Sequence, residues 1–196
     1  MENQIPVLID MGDYNEFLDQ IVSNSEINGI NLDTFELDHL CFRCSSMPEY
    51  RSWFQRLVQH HTLVVESMIG GRPISVFEIN PRLKFRHWSI RCLELASPKA
   101  GVTKRPGFEH VEAVVGNGNI SETVNSRPLL ELFALRYPHV TFDSKALNKE
   151  LNADLSFDLG DGYFIKFHSS PLYEVCNYEL ANGHVEQVPS DYFSGI

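Results

Sequence analysis

The sequence predicts an α+β fold: two tandem strand-helix-strand-strand-strand modules behind an N-terminal helix. Three observations predict it. Apolar residues recur at helical spacing in three separate segments, as in Tyr50, Trp53, Phe54, Leu57 and Val58. Between them lie short apolar runs, several rich in β-branched residues and bounded by glycine or proline. The same element order then appears on both sides of a Gly/Pro-rich stretch from Ala96 to Gly107.

The first helix is expected over Asp13 to Ile27, where Phe17, Leu18, Ile21 and Val22 share a face and Asp10 or Asp13 supplies a cap. A strand follows over Phe35 to Arg43. Pro48 to His61 reads as a helix with Ser46 as cap and Pro48 in its first turn. Three strands complete the first module: Thr62 to Glu66, Pro73 to Ile79 ended by Asn80-Pro81, and a long one from Leu83 to Leu95.

In the second module Phe108 to Val115 reads as a strand and Gly116 to Asn119 as a turn. Glu122 to Tyr137 reads as a helix, Val140 to Asp143 as a short strand and Lys145 to Leu151 as a helical turn. Leu155 to Leu159 and Tyr163 to His168 close the module as strands. The modules are placed at 30–98 and 107–170 within one domain of 1–196, with a weakly patterned tail at 171–196 that partly packs.

Composition narrows the function. The 196 residues are 43% hydrophobic and 21% charged, a globular balance with enough length for a real core. The net charge of −10 argues against nucleic acid, which requires a basic patch. The densest basic stretch, Arg82 to His87, reads as a strand with one solvated face. No run of about 18 apolar residues occurs, so no membrane span is expected. Met1 to Pro6 lacks a signal-peptide pattern, and four cysteines suit reduced thiols, so a cytoplasmic protein is expected. The expected partner is a small molecule, and the expected state a monomer or homodimer.

Polar residues inside apolar strands carry the functional signal, because burying them is unfavourable unless they are satisfied. Each module's first strand holds an acid-His pair: Asp38-His39 and Glu109-His110. Each closing strand holds a charge: Glu94 and Lys166. His39 stands 55 residues before Glu94, and His110 stands 56 before Lys166. Two imidazoles and a carboxylate make a divalent-metal site with open positions, and His39, Glu94 and His110 are the expected ligands. Alternation puts Glu112 beside His110, Cys92 beside Glu94, and His168 beside Lys166. Glu112 and His168 are therefore candidate fourth ligands or supports.

Other motifs add less. Cys41-Phe42-Arg43-Cys44 is a CxxC without a second ligand pair, and in a strand its thiols would face opposite ways. Arg43 and Arg72 are candidate substrate-binding residues, because a guanidinium matches a carboxylate or phosphate bidentately; surface exposure is the plainer account of Arg72. His60-His61 reads as structural, at a helix end. No phosphate-loop pattern and no GxSxG occur.

With those residues in place, the chain resembles the YecM family of the vicinal oxygen chelate superfamily. The resemblance rests on Glu36 to Arg43, Gly71 to Ile74, Cys92 to Lys99 and Gly107 to Glu112. It implies paired βαβββ modules forming an incomplete barrel around a divalent metal (Zn, Ni, Mn or Fe), with His39, Glu94 and His110 at ligand positions. The superfamily commonly has Glu at the fourth position, where this sequence has Lys166. That departure speaks against the glyoxalase reaction itself. Lys166 and Glu112 become the candidate catalytic residues, Lys166 either binding an anionic substrate or serving as an acid/base if burial lowers its pKa, and His168 joins Arg43 and Arg72 as a substrate contact. The expectation is a metal-dependent isomerase, epimerase or dioxygenase-like oxidoreductase acting on a small oxygen-rich substrate. The alternative is a protein on the same fold that sequesters small molecules.

Overall fold

The computed structural model describes residues 5–101, 105–116 and 126–194. Seven strands form one sheet in the order β2-β3-β4-β1-β5-β7-β6. They are β1 Glu36–Arg43, β2 Thr62–Ile69, β3 Arg72–Phe85, β4 Trp88–Ala96, β5 Gly107–Val114, β6 Asp154–Gly160 and β7 Tyr163–His168. β1 and β5 pair antiparallel at the centre. β1 pairs parallel with β4, and β5 pairs parallel with β7. The two modules therefore mirror each other across the β1–β5 ladder, and the open sheet curls around its own concavity.

One face of the sheet carries the main core. Helices α1 Pro6–Met11, α2 Tyr14–Ile27, α3 Met47–Leu57 and α4 Arg127–Leu135 bury residues there against Leu37, Leu40, Phe42, Val111, Ile165 and Phe167. Sequence chemistry sets the helix starts. The Asp13 side chain accepts from Asn15 N and Glu16 N, and Ser46 Oγ accepts from Glu49 N. Aromatic packing is dense between the sheet and α4: the Phe133 and Phe167 ring centroids lie 4.6 Å apart.

Four sequence expectations change. The long strand from Leu83 to Leu95 is two strands, because the chain turns at Arg86-His87 with Arg86 at φ 51°. Pro81 does not end β3; it falls in the gap between the Glu78 and Leu83 pairings, where its missing N–H breaks no ladder bond. Val140 to Asp143 forms no strand. Only Asp143 bridges to Ser156, because its carboxylate caps the next turn by accepting from Lys145 N. The tail contains a helix, α5 Leu172–Asn182, ended by Gly183 in the left-handed conformation. The first five residues of the expected Glu122 to Tyr137 helix include four that lie outside the described residues, as does most of the Gly116 to Asn119 turn.

The Arg82 to Phe85 stretch alternates exposed and buried, as the sequence pattern implies. Cys41 and Cys44 face opposite ways: Cys44 joins the main core, and Cys41 packs with Ile74 and Ala96. No described helix is long and apolar enough to cross a membrane.

Candidate functional site

The other face of the sheet is partly polar and is covered by α5. Between them lies a cavity of about 490 Å³. Alternate residues of each strand line it: Val65, Ser67 and Ile69 from β2; Arg72, Ile74 and Val76 from β3; His110 and Glu112 from β5; Phe164 and Lys166 from β7. Leu172, Val175, Cys176 and Glu179 of α5 form the roof.

Strand register arranges the charged residues in two adjacent rows. Glu94, Cys41 and His110 stand side by side across β4, β1 and β5. Cys92, His39, Glu112 and Lys166 form the next row across β4, β1, β5 and β7. The expected ligands His39, Glu94 and His110 therefore belong to neighbouring rows. His39, His110 and Glu112 bring one potential ligand atom each to within 4.8 Å of one another. Glu94 stands beside this group, its Oε1 accepting from Cys41 Sγ at 3.0 Å.

Two bulges place residues that alternation assigns to the opposite face. In β1, Leu37 pairs with Ala113 and His39 with Glu112, so Asp38 is the extra residue. In β5, Cys41 pairs with His110 and Phe42 with Phe108, so Glu109 is the extra residue. Each bulge turns an acid toward the same side as the histidine that follows it. Asp38 Oδ2 accepts from His39 Nδ1 at 2.8 Å and from Leu172 N at 2.8 Å. Glu109 Oε2 accepts from Arg43 Nε at 2.9 Å and lies 3.7 Å from His110 Nδ1. The sequence marks both acids as partners of the histidines that follow them but, by alternation, assigns them no role in the site.

Lys166 Nζ donates to Glu112 Oε1 at 2.8 Å and lies 3.0 Å from His110 Nε2. Its side chain keeps 27% exposure, toward the cavity. Burial pulls its pKa down, but the Glu112 and Glu94 carboxylates outweigh that and raise it. Lys166 is therefore a held ammonium, and the lowered pKa on which its acid/base role depended is absent. Burial pushes Glu112 up, but Lys166 and His39 hold its carboxyl well below the usual range. Burial likewise opposes ionisation of Glu94, and His110 and Lys166 overcome it. Burial lowers His39, yet the charge of Glu112 and the bond to Asp38 lift it to about 10.

His39 is fully buried, and its Nε2 has no hydrogen-bond partner; Glu112 Oε1 is 3.6 Å away. A buried nitrogen of this kind, with its Nδ1 fixed by a carboxylate, fits a metal ligand. The donor set of two imidazoles and a carboxylate suits a first-row divalent ion. His168 is fully buried beneath this row, 3.7 Å from Glu112 Oε2 and 3.6 Å from Asp38 Oδ2. It does not line the cavity, so the expected contact with substrate is replaced by one with Glu112 and Asp38.

The two expected substrate arginines differ. Arg43 lines the cavity but is paired with buried Glu109. Arg72 is half-buried and lines the cavity, not the open surface. Its guanidinium donates to the Ser97 carbonyl.

The family described as YecM protein matches residues 9–179. Protein YecM of Escherichia coli (strain K12) is 32% identical over 101 residues, 52% of this chain and 53% of that protein. The chain thus spans about half the length of that curated relative. The solved structure titled Structural Genomics, Protein EC4020 aligns with TM-score 0.65 and 29% identity, covering 84% of this chain and 87% of that one. A glyoxalase/bleomycin resistance protein/dioxygenase superfamily member from Vibrio splendidus 12B01 aligns at TM-score 0.37 and 12% identity, covering 69% of this chain and 99% of that one. The match over residues 9–179 takes in both acid-His strands, the two rows of charged residues and most of the roof helix, and by it the chain belongs to the YecM family.

Proposed function

We propose that this chain is a divalent-metal-binding enzyme of the vicinal oxygen chelate type, acting on a small oxygen-rich substrate by isomerase, epimerase or oxidoreductase chemistry. The observation that carries this reading is His39 Nε2, buried and unpartnered beside His110 and Glu112. His39, His110 and Glu112 would hold the ion, with Glu94 beside them. When bound, the ion would polarise substrate oxygens and stabilise developing negative charge.

The chain's own residues supply the rest. Asp38 and the α5 N-terminus fix the His39 ring. The Lys166 ammonium is a second positive charge at the cavity floor, and it keeps Glu112 ionised, the form that would bind the ion. The apolar side chains of β2, β3 and α5 restrict water.

The test is elemental analysis of untagged protein beside the His39→Ala/His110→Ala double variant. Near-stoichiometric metal in the parent, absent from a folded variant, supports the reading. No metal, and no uptake of Zn²⁺, Ni²⁺, Mn²⁺ or anaerobic Fe²⁺, overturns it.

One observation favours a second reading. Lys166 Nζ already satisfies His110 Nε2 and Glu112 Oε1, where a cation would bind. On that reading the cavity sequesters a small molecule without metal, and binding survives chelation.

A further inference from the structure

The cations lining the cavity are not equally committed. Arg43 is paired with Glu109, Lys166 with Glu112, and Lys149 with Asp154 at 2.8 Å. Arg72 stands apart: among the described residues its guanidinium contacts only a backbone carbonyl and no carboxylate. Arg72, Ile74 and Val76 alternate onto the cavity face of β3, so Arg72 shares one wall with the apolar residues. Burial and then the neighbouring Arg43 guanidinium lower the Arg72 pKa, while Cys41, Glu94 and Glu109 pull it the other way. Glu94 and Glu109 are near, but neither hydrogen-bonds the half-buried Arg72 guanidinium, which keeps donors for an anion.

The register sets the backbone offset between Arg72 and the Glu94 row. Val76 pairs with Glu94. Arg72 is four residues back along β3, about 13 Å at ~3.3 Å per residue. Between the two, Ile69, Ile74 and Val76 offer no hydrogen bonds from their side chains.

We infer that Arg72 is the anion anchor of the cavity, and that the ligand is a small organic anion. Its carboxylate or phosphate end is gripped by the Arg72 guanidinium, and its oxygen-bearing end reaches His110, Glu112 and Lys166. The guanidinium fork matches either group bidentately. This inference rests on the proposed substrate cavity but not on the metal.

Calorimetric titration with two probes, inorganic phosphate and succinate, tests it. The proteins are the parent chain, with and without EDTA, Arg72→Gln, Arg72→Lys, and Arg105→Gln as a control in a separate surface groove. The parent is expected to bind at least one probe. Arg72→Gln is expected to weaken that binding about tenfold to a hundredfold, the span of a charged hydrogen-bonded contact. Arg72→Lys, which keeps charge without the fork, should recover part of the loss. Arg105→Gln should bind like the parent. Which probe binds tighter separates a carboxylate end from a phosphate end. Parent-like binding in Arg72→Gln, or no binding of either probe by the parent, overturns the inference. Repeating the parent titration after chelation with EDTA separates this result from the metal reading: anion binding that persists without metal and is lost in Arg72→Gln rests on Arg72.

Discussion

One oxygen of Asp38 accepts hydrogen bonds at 2.8 Å from both His39 Nδ1 and the Leu172 amide. The first bond fixes the ring so that Nε2 faces Glu112. The second ties the start of α5, and so the cavity roof, to the same carboxylate. Asp38→Asn puts an amide against two donors and removes the charge. We expect a stability loss of about 1–3 kcal/mol in denaturant unfolding and a roughly 10- to 100-fold loss of metal affinity in titration. If both values matched the parent, Asp38 would have no part in orienting His39.

Lys166 is the charge partner that lets Glu112 stay ionised in a buried position. Lys166→Met leaves that carboxylate unpaired, which should lower metal-free stability by about 3–5 kcal/mol. Adding Zn²⁺ should restore most of the loss, because the ion would take over the contacts to Glu112 and His110. Urea unfolding with and without Zn²⁺ reads this directly. A metal-free variant as stable as the parent would contradict the pairing.

The metal-free protein should be most stable between about pH 4.5 and 6.5. His39 is lifted from 6.5 to about 10, so its contribution is complete below about pH 6.5 and fades as pH rises toward 10. Glu112 is depressed below 4.5, so its contribution is complete above that pH and is lost as pH falls. Urea midpoints measured across this range should fall on both sides, and Glu112→Gln should flatten the acid side. Because a ligating His39 must give up a proton, metal affinity should rise with pH in the same range.

Phe167 has no exposed surface and joins Phe35, Phe133 and Phe142 in the core beneath α4, with centroids 4.6 to 5.9 Å away. Phe167→Ala should cost about 3–5 kcal/mol through lost contacts and a cavity. Denaturant unfolding checks it. A change below about 1 kcal/mol would mean that the neighbouring rings close the gap.

Much of the site was legible as letters. The two acid-His pairs, Glu94 and Lys166 stand out because a charge inside an apolar strand needs a partner, and repeated spacing points to a shared one. Helix starts at Asp13 and Ser46 were legible for the same kind of reason, since a cap is a local hydrogen bond. The α5 helix was not, because its residues Leu172, Val175 and Cys176 bury only a narrow face over the cavity.

The sequence by itself determined the α+β order of the modules and the chemical types gathered on the central strands. Those follow from local periodicity and from residue chemistry. Only the tertiary structure decided that Glu112 joins His39 and His110, that Asp38 and Glu109 turn to the cavity side, and that Arg72 is left without a carboxylate. The reason is register. A bulge is an extra residue counted between two strands, so it reverses the face of a side chain without leaving a mark in either strand alone.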